Sequence, residues 1–213
     1  MTVSHVYTGR NMSIADRKAR QFKQREEDIL QAALDLFSEK GIESVTIEMI
    51  AEKAEVGKGT IYKHFSSKNE IFGFLVIRQS NEILSAFDKI DTNAPLITQI
   101  KQVLRFFWDI ITSDIRKFAV YRKCDQLLLM EDMTPEVLIV FTKANNEKNR
   151  HIKALIKRGI QEELFRDEPV ENLVTAAIGL FTGVFDLIFA GEVKPNEQLY
   201  LLMENMIFKG FMG

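Results

Sequence analysis

The sequence predicts an all-α protein, and three observations support that prediction. Apolar residues recur with the helical period in almost every long segment of the 213-residue chain. No run alternates between apolar and polar residues as a strand does, and neither Asn-Gly nor Asp-Gly marks a hairpin. Each of the four prolines stands where a helical segment begins, and the first helical turn tolerates proline because an N–H there has no helical partner.

The first predicted helix covers residues 18–40, and residues 1–17 before it are predicted to be a flexible, basic tail. Gly41 ends the helix, since glycine readily adopts the backbone conformation that follows a helix. The apolar residues at helical spacing are Ile29, Ala32, Ala33, Leu36 and Phe37. Residues 1–25 contain six basic residues against one acidic residue, Asp16. Two interpretations of this excess stay open, a solvated tail and an arm that contacts phosphates.

Two short helices and one long helix follow. Thr46 is suited to cap a helix that ends near Ala54, and a second short helix covers residues 58–65. Ser67 and Glu70 form a Ser-x-x-Glu capping box, which opens a long helix that reaches about residue 90. These elements predict a small domain over residues 18–66 and a larger helical domain over residues 67–213, with the long helix belonging to both.

The larger domain is predicted to contain five further helices, over residues 95–113, 115–129, 135–163, 169–190 and 195–211. The fourth of these is apolar nearly all round, so it must be buried on several sides. Its longest apolar stretch, residues 176–190, is interrupted by Asp186 and is expected to be too short to cross a bilayer, which takes about 20 residues. With no signal peptide either, the expected location is the cytoplasm, with no membrane partner.

Composition excludes several classes of site. Cys124 is the only cysteine, so an intrachain disulfide and a cysteine-based zinc site are excluded. The three histidines are not at the spacing of a metal motif, and the net charge of −2 excludes a wholly basic protein that coats nucleic acid. No cluster of Ser, His, Asp or Cys indicates catalysis. We therefore expect no enzyme activity, no metal and no cofactor.

The informative segment is TIEMIAEKAEVGKGTIYKHF, residues 46–65. Its pattern is that of two short amphipathic helices joined by a tight turn, with Val56 in the turn and Ile50 and Ile61 facing inward. The predicted outward positions of the second helix can all form hydrogen bonds, and none is acidic: Lys58, Thr60, Tyr62, Lys63 and His64. A helix of about eight residues is about 12 Å long, which suits a major groove about 12 Å wide. This pattern favours a helix-turn-helix, although two ordinary core helices with a solvated face would look similar.

A second interpretation of this segment is weaker. The string Gly-Lys-Gly-Thr at residues 57–60 resembles part of a phosphate-binding loop. It lacks the earlier glycine at the required spacing and does not follow a strand, so nucleotide binding is disfavoured.

The segment resembles the DNA-binding domain of the TetR family of transcriptional regulators. The similarity extends over about residues 29–72, through the motifs AALDLFSEKGIESVT, IAEKA, VGKGTIYKHF and SSKNEIF. Two positions depart from the family pattern. Glu55 stands where the family usually has glycine in the turn, and Gly57 stands where serine is common, so a change in affinity for DNA is expected at both.

The resemblance implies a role for each matching position. Thr46 would contact a phosphate, and Lys58, Gly59 and Thr60 would open the recognition helix in the major groove. Lys58 and Thr60 are the expected base readers, because lysine donates to guanine. The resemblance gives contacts with phosphates or nearby bases to Tyr62, Lys63 and His64. It gives Lys68, at the start of the next helix, a contact with another phosphate.

The resemblance also implies a homodimer, since the last two helices of each subunit form a four-helix interface in TetR-like proteins. From the pattern alone, an intramolecular core is the alternative. The expected interface residues are Ala176, Gly179, Gly183, Ala190, Leu199, Met203 and Met206. A two-fold dimer places two recognition helices on a pseudo-palindromic site in double-stranded DNA.

The middle helices are rich in aromatic residues, which indicates either core packing or an apolar cavity for a small-molecule effector. The expected lining residues are Phe107, Trp108, Ile111, Tyr121, Cys124, Leu128, Phe141, Asn145 and Phe181. The sequence therefore predicts a ligand-responsive regulator, a repressor that a small, largely apolar effector releases from its operator. The alternative is a small-molecule binding module whose DNA binding is vestigial.

Overall fold

The computed structural model describes residues 13–128 and 135–212, and the secondary structure of this part is entirely helical, as predicted. The helices are α1 (Ile14–Lys40), α2 (Ile47–Lys53), α3 (Lys58–His64), α4 (Lys68–Phe87), α5 (Leu96–Ser113), α6 (Ile115–Leu128), α7 (Pro135–Gln161), α8 (Val170–Phe189) and α9 (Glu197–Phe211). The helices begin and end within a few residues of the predicted positions. The fold is an N-terminal helix-turn-helix unit, α1 to α3, joined to a larger helical body.

Helix α1 starts four residues before the predicted position, so the expectation of a tail up to residue 17 is wrong for residues 14–17. The reason is a capping box in which the Ser13 hydroxyl accepts from the Asp16 backbone N–H at 3.0 Å. The Asp16 carboxylate in return accepts from the Ser13 backbone N–H at 3.1 Å. This arrangement satisfies two of the backbone donors that a helix start leaves open. Residues 1–12 of the predicted tail lie outside the described residues.

The first hydrophobic core holds the helix-turn-helix unit against the body. Buried side chains from α1 to α3, such as Ile29, Ile50 and Ile61, pack with the first half of α4. The same core continues into α6 and α7 through a further set of buried residues, Val120, Tyr121, Cys124 and Phe141. The predicted domain boundary at residue 66 therefore does not coincide with a break between two cores.

The second hydrophobic core joins α5, α8 and α9 with the second half of α7. At its centre the Trp108 ring lies 5.8 Å from the ring of Tyr200, and both residues are buried. Met203 is only 2% exposed in this core. The prediction that Met203 lies at a subunit interface is therefore wrong, because its side chain is used inside the subunit. Leu199 also packs against this core.

Helix α8 is long and apolar enough, by length and composition, to cross a membrane. The expectation that the apolar stretch 176–190 is too short is therefore wrong, because the helix begins at Val170 and has 20 residues. Only 22% of this segment is buried inside the subunit. Length and composition are weak evidence for a membrane span, since a helix that packs against other protein meets the same criteria.

Candidate nucleic-acid interface and effector cavity

The turn between α2 and α3 is fixed by local hydrogen bonds and by small buried side chains. Thr46 caps α2, and its hydroxyl accepts from the Met49 backbone N–H at 3.3 Å. Ala51 is buried where the two helices approach, and its carbonyl accepts from the Val56 N–H at 2.9 Å. Ile61, on the inner face of α3, is fully buried. The buried residues therefore orient α3 so that its other face is turned outward.

The outward face of α3 matches most of the predicted recognition surface. Lys58, Gly59, Tyr62 and Lys63 are exposed, and Thr60 is half-buried at the edge of the same face. Tyr62 is 50% exposed, which is unusual for a large aromatic side chain and leaves its ring and hydroxyl available. A Cβ at Gly57 or Gly59 would meet no atom within 4 Å, so the space in front of the start of α3 is open. No acidic residue lies in α3.

Lys58 already has an acidic partner on the neighbouring helix. Its ammonium group forms an ion pair with the carboxylate of Glu48 on α2, and it also lies 5.9 Å from the centre of the Tyr62 ring. The hydrogen bond between the two side chains lowers the pKa of Glu48 and raises the pKa of Lys58. Both side chains are exposed, so the pair holds Lys58 in place without hiding it from a ligand.

His64 does not face outward, and the prediction that it belongs to the recognition surface is wrong. Its side chain is only 5% exposed and is stacked on Phe22 of α1, with the ring centres 4.0 Å apart. The Nδ1 atom of His64 is buried without a hydrogen-bond partner in the described structure and lies 4.0 Å from the Glu26 carboxylate. The seventh residue of α3 therefore faces α1, because Phe22 and Glu26, which lie far from it in the sequence, pack against it.

The burial of His64 predicts a pH-dependent stability. Burial, aided by the positive charge of Arg25, lowers the pKa of His64 below its ordinary value of 6.5. The neutral imidazole is favoured in the folded state, so stability should fall as the pH drops below the unfolded-state pKa. Urea unfolding at pH values from about 7.5 to about 5.5 should show this loss.

The matched control is His64→Gln, which should lose the dependence on pH in that range. Glu26 acts in the opposite direction at lower pH, because burial raises its pKa and protonation then favours the folded state. The difference between the wild type and His64→Gln isolates the histidine. Equal slopes for the two proteins would contradict the assignment.

Lys68 is predicted to contact a phosphate, and the structure gives it an internal role as well. Its ammonium group donates to the backbone carbonyl of Ile42 and lies 5.8 Å from the centre of each of two rings, those of Phe37 and Phe72. The side chain is half-buried. These contacts fix the start of α4 against α1, so a contact from Lys68 to a phosphate would have to use its remaining donors.

Glu55, one of the two departures from the family pattern, has a strained backbone. Its φ of 54° lies in the left-handed region, which favours glycine. Glu55→Gly should therefore stabilise the protein by up to about 1 kcal/mol. It should also tighten DNA binding, because it removes a negative charge beside the recognition helix. Urea unfolding and a DNA titration measure the two effects, and weaker binding by Glu55→Gly would contradict the expectation.

The larger body contains an apolar cavity of about 260 Å³ between α4, α5, α6, α7 and α8. Three predicted effector residues, Phe107, Ile111 and Phe181, line it. The lining residues that the sequence prediction missed include Gln79, Phe118, Arg122, Asn149, Thr182 and Phe185. Phe118 and Arg122 are four residues apart, as are Phe181 and Phe185. This spacing indicates that each pair shares a helix face, and it is the signal in the sequence that could have identified them.

The other predicted effector residues lie elsewhere. Trp108 is packed in the second core, whereas three of the predicted residues are buried in the first core: Tyr121, Cys124 and Phe141. None of these four residues lines the cavity, so the prediction is wrong for this cavity; Tyr121 instead borders a separate pocket formed by α1, α4, α5 and α6. Asn145 does not line the cavity. The side chain of Leu128 lies outside the described part of the structure.

Several large apolar side chains of α8 and α9 are exposed in the subunit. Leu187 is 42% exposed, Leu202 is 57% exposed and Met206 is 52% exposed. The predicted small residues of α8 are exposed as well: Ala176, Gly179, Gly183 and Ala190. We call these seven residues the α8–α9 surface. Helices α8 and α9 pack against each other, so the exposed residues belong to neighbouring elements.

The structure offers no indication of a metal centre within residues 13–128 and 135–212. No three His, Cys, Asp or Glu side chains in that part are grouped so that they would hold a metal ion.

Comparison with known proteins agrees with the geometry of the interface. Residues 29–73 match the sequence profile of a family described as bacterial regulatory proteins, tetR family. The HTH-type transcriptional regulator YdeS of Bacillus subtilis is 28% identical over 185 residues, which cover 85% of this chain and 87% of YdeS. The HTH-type transcriptional repressor KstR2 of Mycobacterium tuberculosis is 24% identical over 160 residues, 75% of this chain and 78% of KstR2.

Solved structures show the same fold. The fatty acid degradation regulator FadR from Bacillus halodurans superposes with a TM-score of 0.72 at 15% identity, covering 87% of this chain and 95% of FadR. The matched residues extend from α1 into α4 and include all of α3 with its exposed face. The protein is thus a DNA-binding transcriptional regulator and not an enzyme. The profile match over residues 29–73, the relatives and the fold together support a regulator of the TetR family.

Proposed function

We propose that the protein is a ligand-responsive repressor that binds a pseudo-palindromic operator as a homodimer and is released by a small, largely apolar effector. The observation that supports this most directly is the outward face of α3, which displays Lys58, Tyr62 and Lys63 and contains no acidic residue. The expected location is the cytoplasm, where the DNA is. The assignment of residues 18–66 to DNA binding and 67–213 to effector binding and dimerisation is part of the proposal.

In this proposal, Lys58 and Thr60 read bases and the exposed Thr46, Gly59, Tyr62 and Lys63 approach phosphates or nearby bases. Base contacts select the sequence, whereas phosphate contacts fix the position of the protein on the duplex. Lys68 has a smaller part, because its ammonium group is already engaged by the Ile42 carbonyl. His64 is left out of the DNA contacts.

The direct test is fluorescence anisotropy with DNA enriched from a random-sequence pool, repeated at several salt concentrations. Nanomolar binding to a palindrome, with log affinity falling by about 0.9 per phosphate contact per log unit of salt, would support the regulator. Weak binding without sequence preference would contradict it and favour a ligand-binding module with vestigial DNA binding.

The dimer is supported by the α8–α9 surface. Contiguous apolar side chains on a subunit surface usually mark an interface. Small residues such as Gly179 and Gly183 let a helix of the partner approach closely. We propose that this surface, including Leu187, Leu202 and Met206, packs on its symmetry copy, which would also cover the exposed part of α8 without a membrane.

Light scattering at micromolar concentration should give the mass of a dimer. The variant Leu202→Glu should shift the protein towards monomer, because it places a charge within the interface. Leu138→Glu on α7 is the matched control, since Leu138 is 47% exposed but lies outside the α8–α9 surface. A monomeric wild type would refute the proposed dimer.

The effector proposal is supported by the cavity, whose walls are mostly aromatic and aliphatic. Its volume of about 260 Å³ suits a small ligand. A few polar side chains at the wall, among them Gln79, Asn149 and Thr182, are available to orient such a ligand. This combination of an apolar body and few polar groups is typical of small-molecule sites.

A panel of lipophilic compounds should raise the melting temperature and weaken operator binding. Phe107→Trp should abolish the response by filling the cavity, while Phe106→Trp, at the neighbouring position outside its wall, should preserve it. A panel that changes neither quantity in the wild type would count against the cavity as an effector site.

Transmission from the cavity to the DNA is proposed to pass through α4. Gln79 and Ile83 of α4 line the cavity, while the first half of the same helix packs in the core of the helix-turn-helix unit. Arg78 connects the elements further, since it donates to the Tyr121 hydroxyl at 3.0 Å and lies 3.7 Å from Glu27 of α1. An effector that prefers one position of α4 would shift the separation of the two recognition helices.

A further inference from the structure

The first three turns of α1 extend beyond the hydrophobic core. Residues 13–25 are all exposed, and the buried residues of α1 begin only at Ile29. A helical segment in which every residue is exposed gains little from packing in its own subunit. Its presence therefore calls for another explanation, such as contact with a partner.

Phe22 attaches this extension to the recognition helix. Its ring is 49% exposed and stacks on His64, the last residue of α3, with an angle of 32° between the ring planes. His64 lies one turn after Thr60, so α1 borders the recognition face of α3 along its Thr60 edge. The extension consequently has a fixed position relative to the side chains that are proposed to read the operator.

The extension is strongly basic. Its basic residues are Arg17, Lys18, Arg20, Lys23 and Arg25, against the single acidic residue Asp16. Asp16 is engaged in the capping box with Ser13. The side chains of Arg17, Lys18 and Arg20 make no hydrogen bond or ion pair with any residue that the structure describes, so their charges are available to a ligand. A positive, exposed helix of this kind suits a polyanion.

We propose that the extension of α1, residues 14–25, is a second DNA-binding element that contacts backbone phosphates flanking the groove occupied by α3. This inference rests on the proposed operator binding. From Phe22 to Ile14 the helix rises about 12 Å, at 1.5 Å per residue, which is about twice the width of a minor groove. The extension is thus long enough to reach phosphates beyond the bases that α3 contacts. These contacts are independent of sequence, because they involve phosphates alone.

The test uses the full chain and a triple variant, Arg17→Gln, Lys18→Gln and Arg20→Gln. The matched control replaces two exposed arginines and one exposed lysine of α7, Arg150, Lys157 and Arg158, each by Gln. Each protein is titrated with two duplexes, one trimmed to the selected palindrome and one with about ten random base pairs added at each end, about one helical turn. Salt dependence is measured for both duplexes.

The wild type and the α7 control should bind the longer duplex more tightly than the trimmed duplex, whatever the flanking sequence. The triple variant should lack this gain in affinity. The salt slope on the longer duplex should fall by about 0.9 for each phosphate that the variant no longer neutralises. If the variant loses three phosphate contacts in each subunit, an increase in salt from 50 to 200 mM should weaken its binding about 40-fold less per subunit than it weakens binding of the wild type.

Phe22 supplies a separate test of position, because its replacement leaves every charge in place. Phe22→Ala should reduce the flank-dependent gain, and Phe22→Tyr should keep it, since the ring that stacks on His64 is retained. Helix content measured by circular dichroism separates loss of position from loss of the helix itself.

The outcomes distinguish this inference from the proposed function. If the triple variant keeps the flank gain and the salt slope of the wild type, the inference is overturned while operator binding stands. If the wild type binds neither duplex, both fail. Binding to anionic lipid vesicles is measured for the same proteins. If the triple variant binds the vesicles more weakly than the wild type but keeps the flank gain on DNA, the inference is overturned in favour of a membrane surface.

Discussion

Lys58→Ala should weaken operator binding by roughly 5- to 150-fold per half-site, because a good contact to a base edge contributes about 1–3 kcal/mol. The side chain lies at the start of α3, is exposed, and faces the same side as Tyr62. A dimer contains two such contacts, so the total effect on a palindrome should be larger. Fluorescence anisotropy with the selected operator and with base-substituted operators measures both the affinity and the loss of discrimination.

Glu48→Gln is the matched control for Lys58. It removes the carboxylate that competes with DNA for the ammonium group, so we expect binding equal to or tighter than that of the wild type. Tyr62→Ala should also weaken binding, because it removes an exposed ring and hydroxyl beside Lys58. Circular dichroism should show that all three variants fold. Unchanged affinity in both Lys58→Ala and Tyr62→Ala would refute the assignment of the recognition face.

Phe65→Ala should lower the free energy of unfolding by about 3–5 kcal/mol, the usual cost of removing a buried aromatic ring from a core. Phe65 directly follows α3 and is 1% exposed, and its ring packs edge-on against Phe74 of α4 at 5.3 Å. The cost is a large fraction of the roughly 5–15 kcal/mol that stabilises a typical domain. Urea unfolding measures it, and operator binding should fall as well because α3 loses its attachment to α4.

Phe22→Ala is the comparison for Phe65→Ala in stability. Its ring is 49% exposed and contacts only one side of His64, so the loss should be about 1 kcal/mol. A loss for Phe65→Ala as small as that for Phe22→Ala would contradict the account of the core around α3.

The sequence was sufficient to predict the helices, because their signals are local. The caps at Thr46 and Ser67 and the prolines before the later helices act within one turn of each start. The recognition face of α3 could be predicted for the same reason, since helical spacing separates Ile61 from Lys58 and Tyr62. The start of α1 was missed because a capping serine, Ser13, lies before a segment with no apolar stripe.

The positions that could not be predicted depend on contacts between distant segments. Helical spacing predicts His64 on the outward face, but Phe22, which is 42 residues earlier in the chain, stacks on it. Met203 has the same apolar character as Met206, yet one is in the core and the other is exposed. Spacing alone places Phe107 and Trp108 on different faces of α5 without showing which face borders the cavity.

The first hydrophobic core has a consequence for the construction of hybrid regulators. Its side chains come from α1 to α4 and also from Val120, Cys124 and Phe141, which lie far along the chain. A graft of residues 13–66 onto the body of another regulator would leave these three side chains behind and would meet unmatched ones instead. The transferable module is therefore discontinuous in sequence. A working chimera would have to include the first half of α4 and the facing residues of α6 and α7.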